Sequence, residues 1–123
     1  MQEVVIAGAA RTAMGGFQGV FNTVSAAQLG GAAIRAALAD AGASTVDELL
    51  MGCVLPAGQG QAPARQAGFA GGLGEEVPAT TLNKMCGSGM KATMIAFDQI
   101  ALGHAQTMIA GGMESMSNAP YLL

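Results

Sequence analysis

The sequence predicts an α/β fold with a largely parallel β-sheet and helices on both faces of the sheet. Apolar runs of strand length alternate along the chain with longer stretches of helical periodicity. The strand-length runs are continuous rather than alternating, which is typical of parallel strands covered on both faces. The chain has 123 residues, of which 51% are hydrophobic and 11% are charged. This length and composition fit one domain with a single core.

The N-terminal third of the sequence predicts one strand followed by one helix. The run EVVIAGA, Glu3–Ala9, has the continuous apolar character of a buried strand. Residues 23–42 predict a helix, because apolar and small residues recur every four positions from Leu29 to Ala41. Gly42 stands where the C-cap of this helix belongs. The small residues favour close packing of the helix on a sheet.

The remaining sequence predicts three more strands and two more helices. Pro63 is placed to open the first of these helices, since proline is favoured in the first turn. The second is ended by Gly103. In chain order, the further elements are strand 46–55, helix 63–72, strand 79–82, helix 86–102 and strand 105–113. The complete predicted order is βαβαβαβ.

Charge and hydropathy exclude several classes of function. The net charge is −3, and the five basic residues are scattered singly, which argues against a nucleic-acid interface. No stretch reaches the ~18 uninterrupted apolar residues of a membrane helix, so we expect no membrane association. The first residues carry an acidic side chain where a secretory signal requires basic ones. We therefore expect a cytoplasmic protein.

No motif for a bound metal or nucleotide is found. Cys53 and Cys86 are far apart in sequence, so they form neither a CxxC site nor a disulfide framework. The glycines of residues 15–19 do not match the dinucleotide motif G-x-G-x-x-G. Met90 separates Gly89 from Lys91, whereas a phosphate loop requires adjacent Gly and Lys. We expect no metal site and no permanently bound cofactor.

Cys86 is the candidate catalytic residue, because it is predicted at the start of a helix. A helix N-terminus carries a partial positive charge and unpaired N–H groups, which favour the thiolate form of a cysteine. The thiolate is a nucleophile, and the same N–H groups can stabilise the oxyanion that forms when it attacks a carbonyl. Gly87 and Gly89 let a substrate approach the backbone. The alternative is a small buried cysteine beside glycines that allow tight packing.

Three other residues with reactive side chains are predicted to be structural. Cys53 lies in an apolar run with no helix start or charge nearby, which predicts a core residue. His104, the only histidine, is expected to be a solvated or capping residue beyond a helix end. Glu114 follows a predicted strand and is expected to fix a loop by hydrogen bonding rather than to act in catalysis.

Five segments of the sequence resemble the thiolase family. NKMCGSGMKA, Asn83–Ala92, resembles the segment that carries the acylated cysteine of thiolases, and AGGMESMSNAPYLL, Ala110–Leu123, resembles the next signature of the family. Three earlier segments are similar in the expected order, namely RTAMGGF, VSAAQLGGAAIRAAL and VDELLMGCVLPAGQGQAPARQA. The resemblance covers nearly the whole chain. It indicates that residues 1–123 are a partial N-terminal thiolase domain.

The resemblance implies acyl transfer between coenzyme A thioesters, with Cys86 as the covalent nucleophile and its own N–H as an oxyanion donor. In thiolases the matching cysteine is acylated, and a second acyl-CoA then attacks it in a Claisen condensation that makes acetoacetyl-CoA from acetyl-CoA. The reverse reaction is thiolysis of a 3-ketoacyl-CoA. The resemblance also implies a fold of two similar halves, usually as dimers or tetramers.

The methionines are open to two interpretations. Met85, Met90, Met94 and Met113 could line an acyl pocket. Met90 and Met94 recur at helical spacing, however, and this spacing predicts core positions.

The resemblance also implies parts that these residues lack. A histidine, a second cysteine and most of the coenzyme A-binding region are expected from a C-terminal part of the chain. His104 is a poor substitute, because a continuous helix would place it roughly 27 Å from Cys86. We therefore expect the isolated chain to be inactive and to self-associate. Two alternatives remain, a condensing enzyme of the ketoacyl synthase type and a non-catalytic assembly module that keeps the fold.

Overall fold

A computed structural model describes residues 1–123 as a three-stranded parallel sheet with helices on both faces. Both strand pairs are parallel, which confirms the predicted α/β class. No helix is sufficiently long and apolar to span a membrane. The strands, in the sheet order β2-β1-β3, are β1 (Glu48–Gly52), β2 (Ala79–Leu82) and β3 (Met108–Gly112). The helices are α1 (Ala26–Ala41), α2 (Pro63–Gly71) and α3 (Ser88–Ala101), with a short 3-10 helix at Met116–Asn118.

The central strand β1 contributes side chains to two cores, one on each face of the sheet. Leu49 and Met51 belong to the larger core, which the sheet forms with α1 and α2. Leu50, between them in sequence, packs with Ala92 and Ala96 of α3 on the opposite face. This division follows from the two-residue period of a strand. Because both faces are covered, the strand reads as a continuous apolar run.

Helix α1 begins and ends at the residues that its sequence specifies. Ser25 Oγ accepts a hydrogen bond from the Gln28 N–H at 3.2 Å, and Gln28 Oε1 accepts one from the Ser25 N–H at 2.9 Å. These two bonds form a capping box. At the other end, Gly42 has a φ of +65° and donates its N–H to the last turn. The helix predicted within residues 23–42 is confirmed.

The small residues of α1 pack mainly against α2, so the prediction that they pack directly on the sheet is wrong. A β-carbon at Gly31 would lie 2.9 Å from the carbonyl carbon of Ala70, and one at Gly71 would lie 2.8 Å from the β-carbon of Ile34. Such distances are too short for real side chains, so the helices can approach this closely only through glycine. The two helices therefore form one layer over the sheet.

The predicted first strand, Glu3–Ala9, is not a strand in the structure, and the sheet has three strands instead of four. The segment lacks the backbone hydrogen bonds of a ladder. Gln2 donates its N–H to the Ala101 C=O at 3.1 Å, and Ala9 donates its N–H to Asp40 Oδ2 at 3.0 Å. The segment is thus fixed near its ends. The predicted burial is wrong as well, because Val5 and Ile6 are 73% and 85% exposed. An apolar run does not by itself specify a pairing partner.

Helix α3 is shorter than the predicted helix 86–102, because it begins at Ser88 and ends at Ala101. Gly103 follows with a φ of +78°, and its N–H bonds to the Ile100 C=O at 2.9 Å. His104 donates its N–H to the Gln99 C=O, also at 2.9 Å. These bonds form a Schellman motif, so the predicted role of Gly103 in ending the helix is confirmed.

The start of α3 lies against the carboxyl ends of β1 and β3. A β-carbon at Gly52 would lie 2.8 Å from the Ser88 carbonyl carbon and 2.9 Å from the Gly89 nitrogen. Gly89 is also near the other strand, since a β-carbon there would lie 3.4 Å from the Gly112 nitrogen. The absence of side chains at these positions therefore brings the helix start to the edge of the sheet.

Replacing Gly52 with alanine should force the start of α3 away from β1. We expect Gly52→Ala to lower the free energy of unfolding by about 1–3 kcal/mol, as overpacking does elsewhere. The measurement is urea denaturation followed by circular dichroism. Gly16→Ala is the matched control, because no atom lies within 4 Å of its β-carbon. A similar loss of stability in both variants would contradict the role of Gly52.

Candidate active site

The loops that follow the three strands meet at one edge of the sheet. Parallel strands place their carboxyl ends together, and ligands of open α/β sheets bind outside that edge. Here the edge is formed by the loop after β1, the turn that joins β2 to α3 and the segment after β3. The β2–α3 turn contains Cys86, so the predicted nucleophile lies at the edge where a ligand is expected.

Cys86 occupies a strained backbone conformation immediately before the N-cap of α3. Its φ is +56°, and Gly87 is the N-cap residue. A non-glycine residue in the left-handed region costs roughly 1–2 kcal/mol. Such strain is concentrated at functional sites, where the surrounding structure holds it. The side chain of Cys86 is exposed and the thiol is free, which excludes the alternative of a buried cysteine.

The turn that carries Cys86 is held by the hydroxyl of Ser88. Ser88 Oγ accepts a hydrogen bond from the Lys84 N–H at 2.9 Å and donates one to the Lys84 C=O at 2.8 Å. Gly87 also donates its N–H to the Lys84 C=O at 2.8 Å. Ser88 is buried at the contact with β1. The turn is therefore closed on itself and anchored to the sheet.

Several backbone N–H groups at the start of α3 have no hydrogen-bond partner within the chain. They belong to Cys86, Ser88, Gly89 and Met90. The first N–H groups of any helix lack intrahelical acceptors, and together with the helix dipole they stabilise negative charge. Donors of this kind, placed beside a nucleophile, can stabilise the oxyanion of a tetrahedral intermediate.

Two side chains bond to the loop after β1, one from the segment after β3 and one from the turn that carries Cys86. Glu114, which follows β3, accepts hydrogen bonds from the Val54 N–H at 2.9 Å and from the Leu55 N–H at 3.0 Å. Asn83 Nδ2 donates to the Val54 C=O at 3.1 Å. The predicted loop-fixing role of Glu114 is confirmed by these contacts.

Cys53 is buried just beyond the end of β1, with 1% of its surface exposed, so its predicted core position is confirmed. The expectation that no charge lies nearby is wrong. Its Sγ is 3.6 Å from Glu114 Oε1 and 3.4 Å from Gln59 Nε2. Burial raises the pKa of the Cys53 thiol, and the Glu114 carboxylate raises it further. Cys53 is therefore a protonated, inaccessible thiol at neutral pH.

A cavity of about 390 Å³ adjoins the start of α3. Ser88, Gly89 and Glu114 contribute to its lining, together with Arg11 and Thr12 from the N-terminal segment. Cys86 is not among the lining residues. The cavity thus adjoins the residues that hold the turn rather than the thiol itself.

The prediction that Met90 and Met94 lie in the core is wrong. These side chains are 73% and 54% exposed, because α3 packs on the sheet through Ala92 and Ala96 on a different face. Met90 and Met94 are four residues apart, and so are Ala92 and Ala96. Each pair therefore shares one face of α3, and only the face of the alanines is buried. Met113 is buried in the larger core.

His104 lies beyond the far end of α3 from Cys86. It is exposed, and its Nδ1 is 3.1 Å from Gln99 Oε1. The 14 residues of α3 span about 21 Å at a rise of ~1.5 Å per residue. The prediction that His104 is a solvated, capping residue is confirmed.

Sequence reasoning missed Ser88 and Asn83 as the residues that hold the candidate nucleophile. A signal for Ser88 is present, since a serine at the first helical positions can bond backbone groups of the preceding turn. Asn83 carries no comparable signal, because its partner is 29 residues earlier in the chain.

An exposed cysteine in a strained strand-to-helix turn is the arrangement expected of an α/β protein with a thiol nucleophile. Comparison with known sequences identifies the family. The family described as "Thiolase, N-terminal domain" matches residues 4–123, and the chain therefore belongs to the thiolase family.

Curated relatives match the chain at about half of its positions. It is 54% identical to Acetyl-CoA acetyltransferase B, mitochondrial, of Xenopus laevis, over 100% of this chain and 30% of that relative. It is 53% identical to the Acetyl-CoA acetyltransferase of Rhizobium meliloti, over 96% of this chain and 30% of the relative. It is 51% identical to the Acetyl-CoA acetyltransferase of Pseudomonas aeruginosa, over 100% of this chain and 32% of that relative. The chain spans about a third of the length of these relatives.

The two cysteines should differ strongly in their reaction with iodoacetamide. We expect Cys86 to be alkylated at least about tenfold faster than Cys53 in the folded protein, because only Cys86 is accessible. Because the pKa of Cys53 is raised, its labelling rate should increase only at a pH higher than that at which an ordinary cysteine thiol ionises. Peptide mapping by mass spectrometry measures both rates. In urea the two rates should converge, and equal rates in the folded protein would contradict the assignment.

Proposed function

We propose that this chain supplies the nucleophile for acyl transfer between coenzyme A thioesters. The Cys86 thiolate attacks the thioester carbonyl of an acyl-CoA, and the coenzyme A thiolate leaves and takes up a proton. The acyl group is then carried by Cys86. When the acyl group is acetyl, a second acetyl-CoA gives an α-proton to a base, its carbanion attacks the acetyl-Cys86 carbonyl, and acetoacetyl-CoA forms as the Cys86 thiolate is released. Thiolysis of a 3-ketoacyl-CoA is the same sequence in reverse.

The observation that carries this proposal is the exposed thiol of Cys86 at φ +56°, beside unpaired N–H groups of α3. The thiol is accessible to a carbonyl carbon, and unpaired N–H groups at a helix start can stabilise the negative charge that develops during its attack. Acyl-CoA substrates are supported by the relatives, whose names describe acetyl-CoA acetyltransferases.

Proton transfer from the second acyl-CoA requires a base that these residues do not place near Cys86. His104 is at the other end of α3, and both carboxylate oxygens of Glu114 already accept backbone hydrogen bonds. A general base must come within hydrogen-bond reach of the proton that it removes. We propose that further residues of a longer thiolase chain supply this base and most of the coenzyme A contacts.

Acylation of Cys86 can be tested directly in a full-length protein that contains this chain. After brief exposure to acetyl-CoA, intact mass should increase by one acetyl group, and peptide mapping should locate it on Cys86. Acetyl-CoA should also protect Cys86 from iodoacetamide.

Cys86→Ser should lower turnover by about a thousandfold or more, as loss of a covalent nucleophile does in other enzymes. Because serine and cysteine have similar side-chain volumes, the thermal midpoint of unfolding should stay unchanged. Cys53→Ser is the matched control and should retain acylation at Cys86. A folded protein whose Cys86 is never acylated would instead indicate an assembly module without catalysis.

Residues 1–123 alone are expected to self-associate and to show no condensation, even where Cys86 can be alkylated. The outer face of α3 leaves Met90, Met94 and Phe97 more than half exposed, and both outer strands of the sheet have a free edge. Exposed apolar patches and unpaired strand edges drive association. Light scattering and an assay for acetoacetyl-CoA measure the two properties. A monodisperse monomer that makes acetoacetyl-CoA would contradict both expectations.

A further inference from the structure

Glu114 occupies a position from which it can control the geometry of Cys86 without touching it. We propose that Glu114 is a positioning residue for acyl transfer. It acts through the backbone of Val54 and the side chain of Asn83. This inference rests on the proposed function of Cys86. It goes further, because it assigns a specific role to a carboxylate in the segment after β3, whereas the turn of the nucleophile follows β2.

The first link joins the carboxylate to the loop after β1. Glu114 Oε2 accepts the Val54 N–H at 2.9 Å, and Oε1 accepts the Leu55 N–H at 3.0 Å. Two oxygens that bind two successive N–H groups fix both the position and the orientation of the backbone. Hydrogen bonds to an ionised carboxylate are also shorter and stronger than those between neutral groups. The partners are backbone groups, so the carboxylate orders the loop rather than pairing with a basic side chain.

The second link joins this loop to the turn of the nucleophile. The Val54 C=O accepts a hydrogen bond from Asn83 Nδ2 at 3.1 Å. Val54 is thus bonded through its N–H to Glu114 and through its C=O to Asn83. Asn83 precedes Lys84, whose N–H and C=O both bond to Ser88 Oγ. Hydrogen bonds and the covalent link between Asn83 and Lys84 therefore connect the carboxylate to the turn that carries Cys86.

Cys86 itself depends on such indirect support. Its own N–H has no partner within the chain, and its thiol is exposed. Its place is therefore set by the ends of the turn, at Asn83–Lys84 on one side and Ser88 on the other. A displacement of a reacting group by about 1 Å can cost about a hundredfold in rate. The end of the turn at Asn83 is the one that Glu114 controls.

The matched experiment compares Glu114→Gln with Glu76→Gln in the full-length protein. The two N–H groups bond to different oxygens of Glu114, so a glutamine in the same orientation accepts one of these hydrogen bonds and presents an N–H₂ donor to the other N–H. We expect the single-turnover rate of Cys86 acetylation by acetyl-CoA to fall by about tenfold to a hundredfold. The KM for acetyl-CoA should change less than about twofold. Glu76 is exposed and makes no hydrogen bond, so Glu76→Gln removes the same charge and should leave both values unchanged.

The link through Asn83 gives a second and independent test. Asn83 is exposed, so Asn83→Ala should fold normally, and it should slow acetylation by a similar factor. If both residues act along one path, the double variant should be little slower than either single variant. Independent effects would multiply instead. This test holds even if Glu114→Gln fails to fold, because an Asn83→Ala protein that is acetylated at the unmodified rate contradicts the path.

The possible outcomes separate this inference from the proposed function. If Cys86 of the unmodified protein is never acetylated, the proposed function fails. If Cys86 is acetylated, but Glu114→Gln reacts at the same rate, the function stands and the positioning role is wrong. A purely structural role for Glu114 predicts a lower thermal midpoint with an unchanged acetylation rate per folded molecule, and that result also contradicts the inference.

Discussion

The close approach of α3 to the ends of β1 and β3 is the constraint on which the candidate site depends. Gly52 and Gly112 offer no side chain at the contact, and Gly89 offers none from the helix. Ser88 can therefore be buried against β1 while its hydroxyl closes the turn at Lys84. Because one residue makes both contacts, the packing of the helix and the shape of the turn cannot vary independently. The sheet thus determines where Cys86 lies.

The two cysteines show how position alone separates two thiols of the same chemistry. Cys53 is buried, and the carboxylate of Glu114 adds to the effect of burial in raising its pKa. Cys86 is exposed and lies beside unpaired N–H groups at a helix start. A carboxylate near a thiol opposes formation of the thiolate. Glu114 therefore suppresses the chemistry of Cys53 with the same oxygens that order the loop beside the turn of Cys86.

The sequence predicted those elements whose signals are local. Gly42 ends α1, Pro63 opens α2, and Gly103 ends α3, because caps and turns depend on neighbouring residues. The strand at Glu3–Ala9 and the core positions of Met90 and Met94 were wrong, since pairing partners and buried helix faces are set by tertiary contacts. The placement of Cys86 at a helix start was predicted to within two residues, but its positive φ was not. The hydrogen bond from Asn83 to Val54 joins residues 29 positions apart, and no local pattern encodes it.

The hydrogen bonds of the turn are sufficient to hold Cys86 in its left-handed backbone conformation. A left-handed conformation costs roughly 1–2 kcal/mol for a residue with a β-carbon. Three hydrogen bonds close the turn, two between Ser88 and Lys84 and one between Gly87 and Lys84. At a net value of about 0.5–1.5 kcal/mol each, they are sufficient to offset that cost. A glycine at position 86 would avoid the strain and lose the thiol. The chain instead retains a cysteine there and stabilises it through its neighbours, which is the pattern expected where a side chain is needed for chemistry rather than for packing.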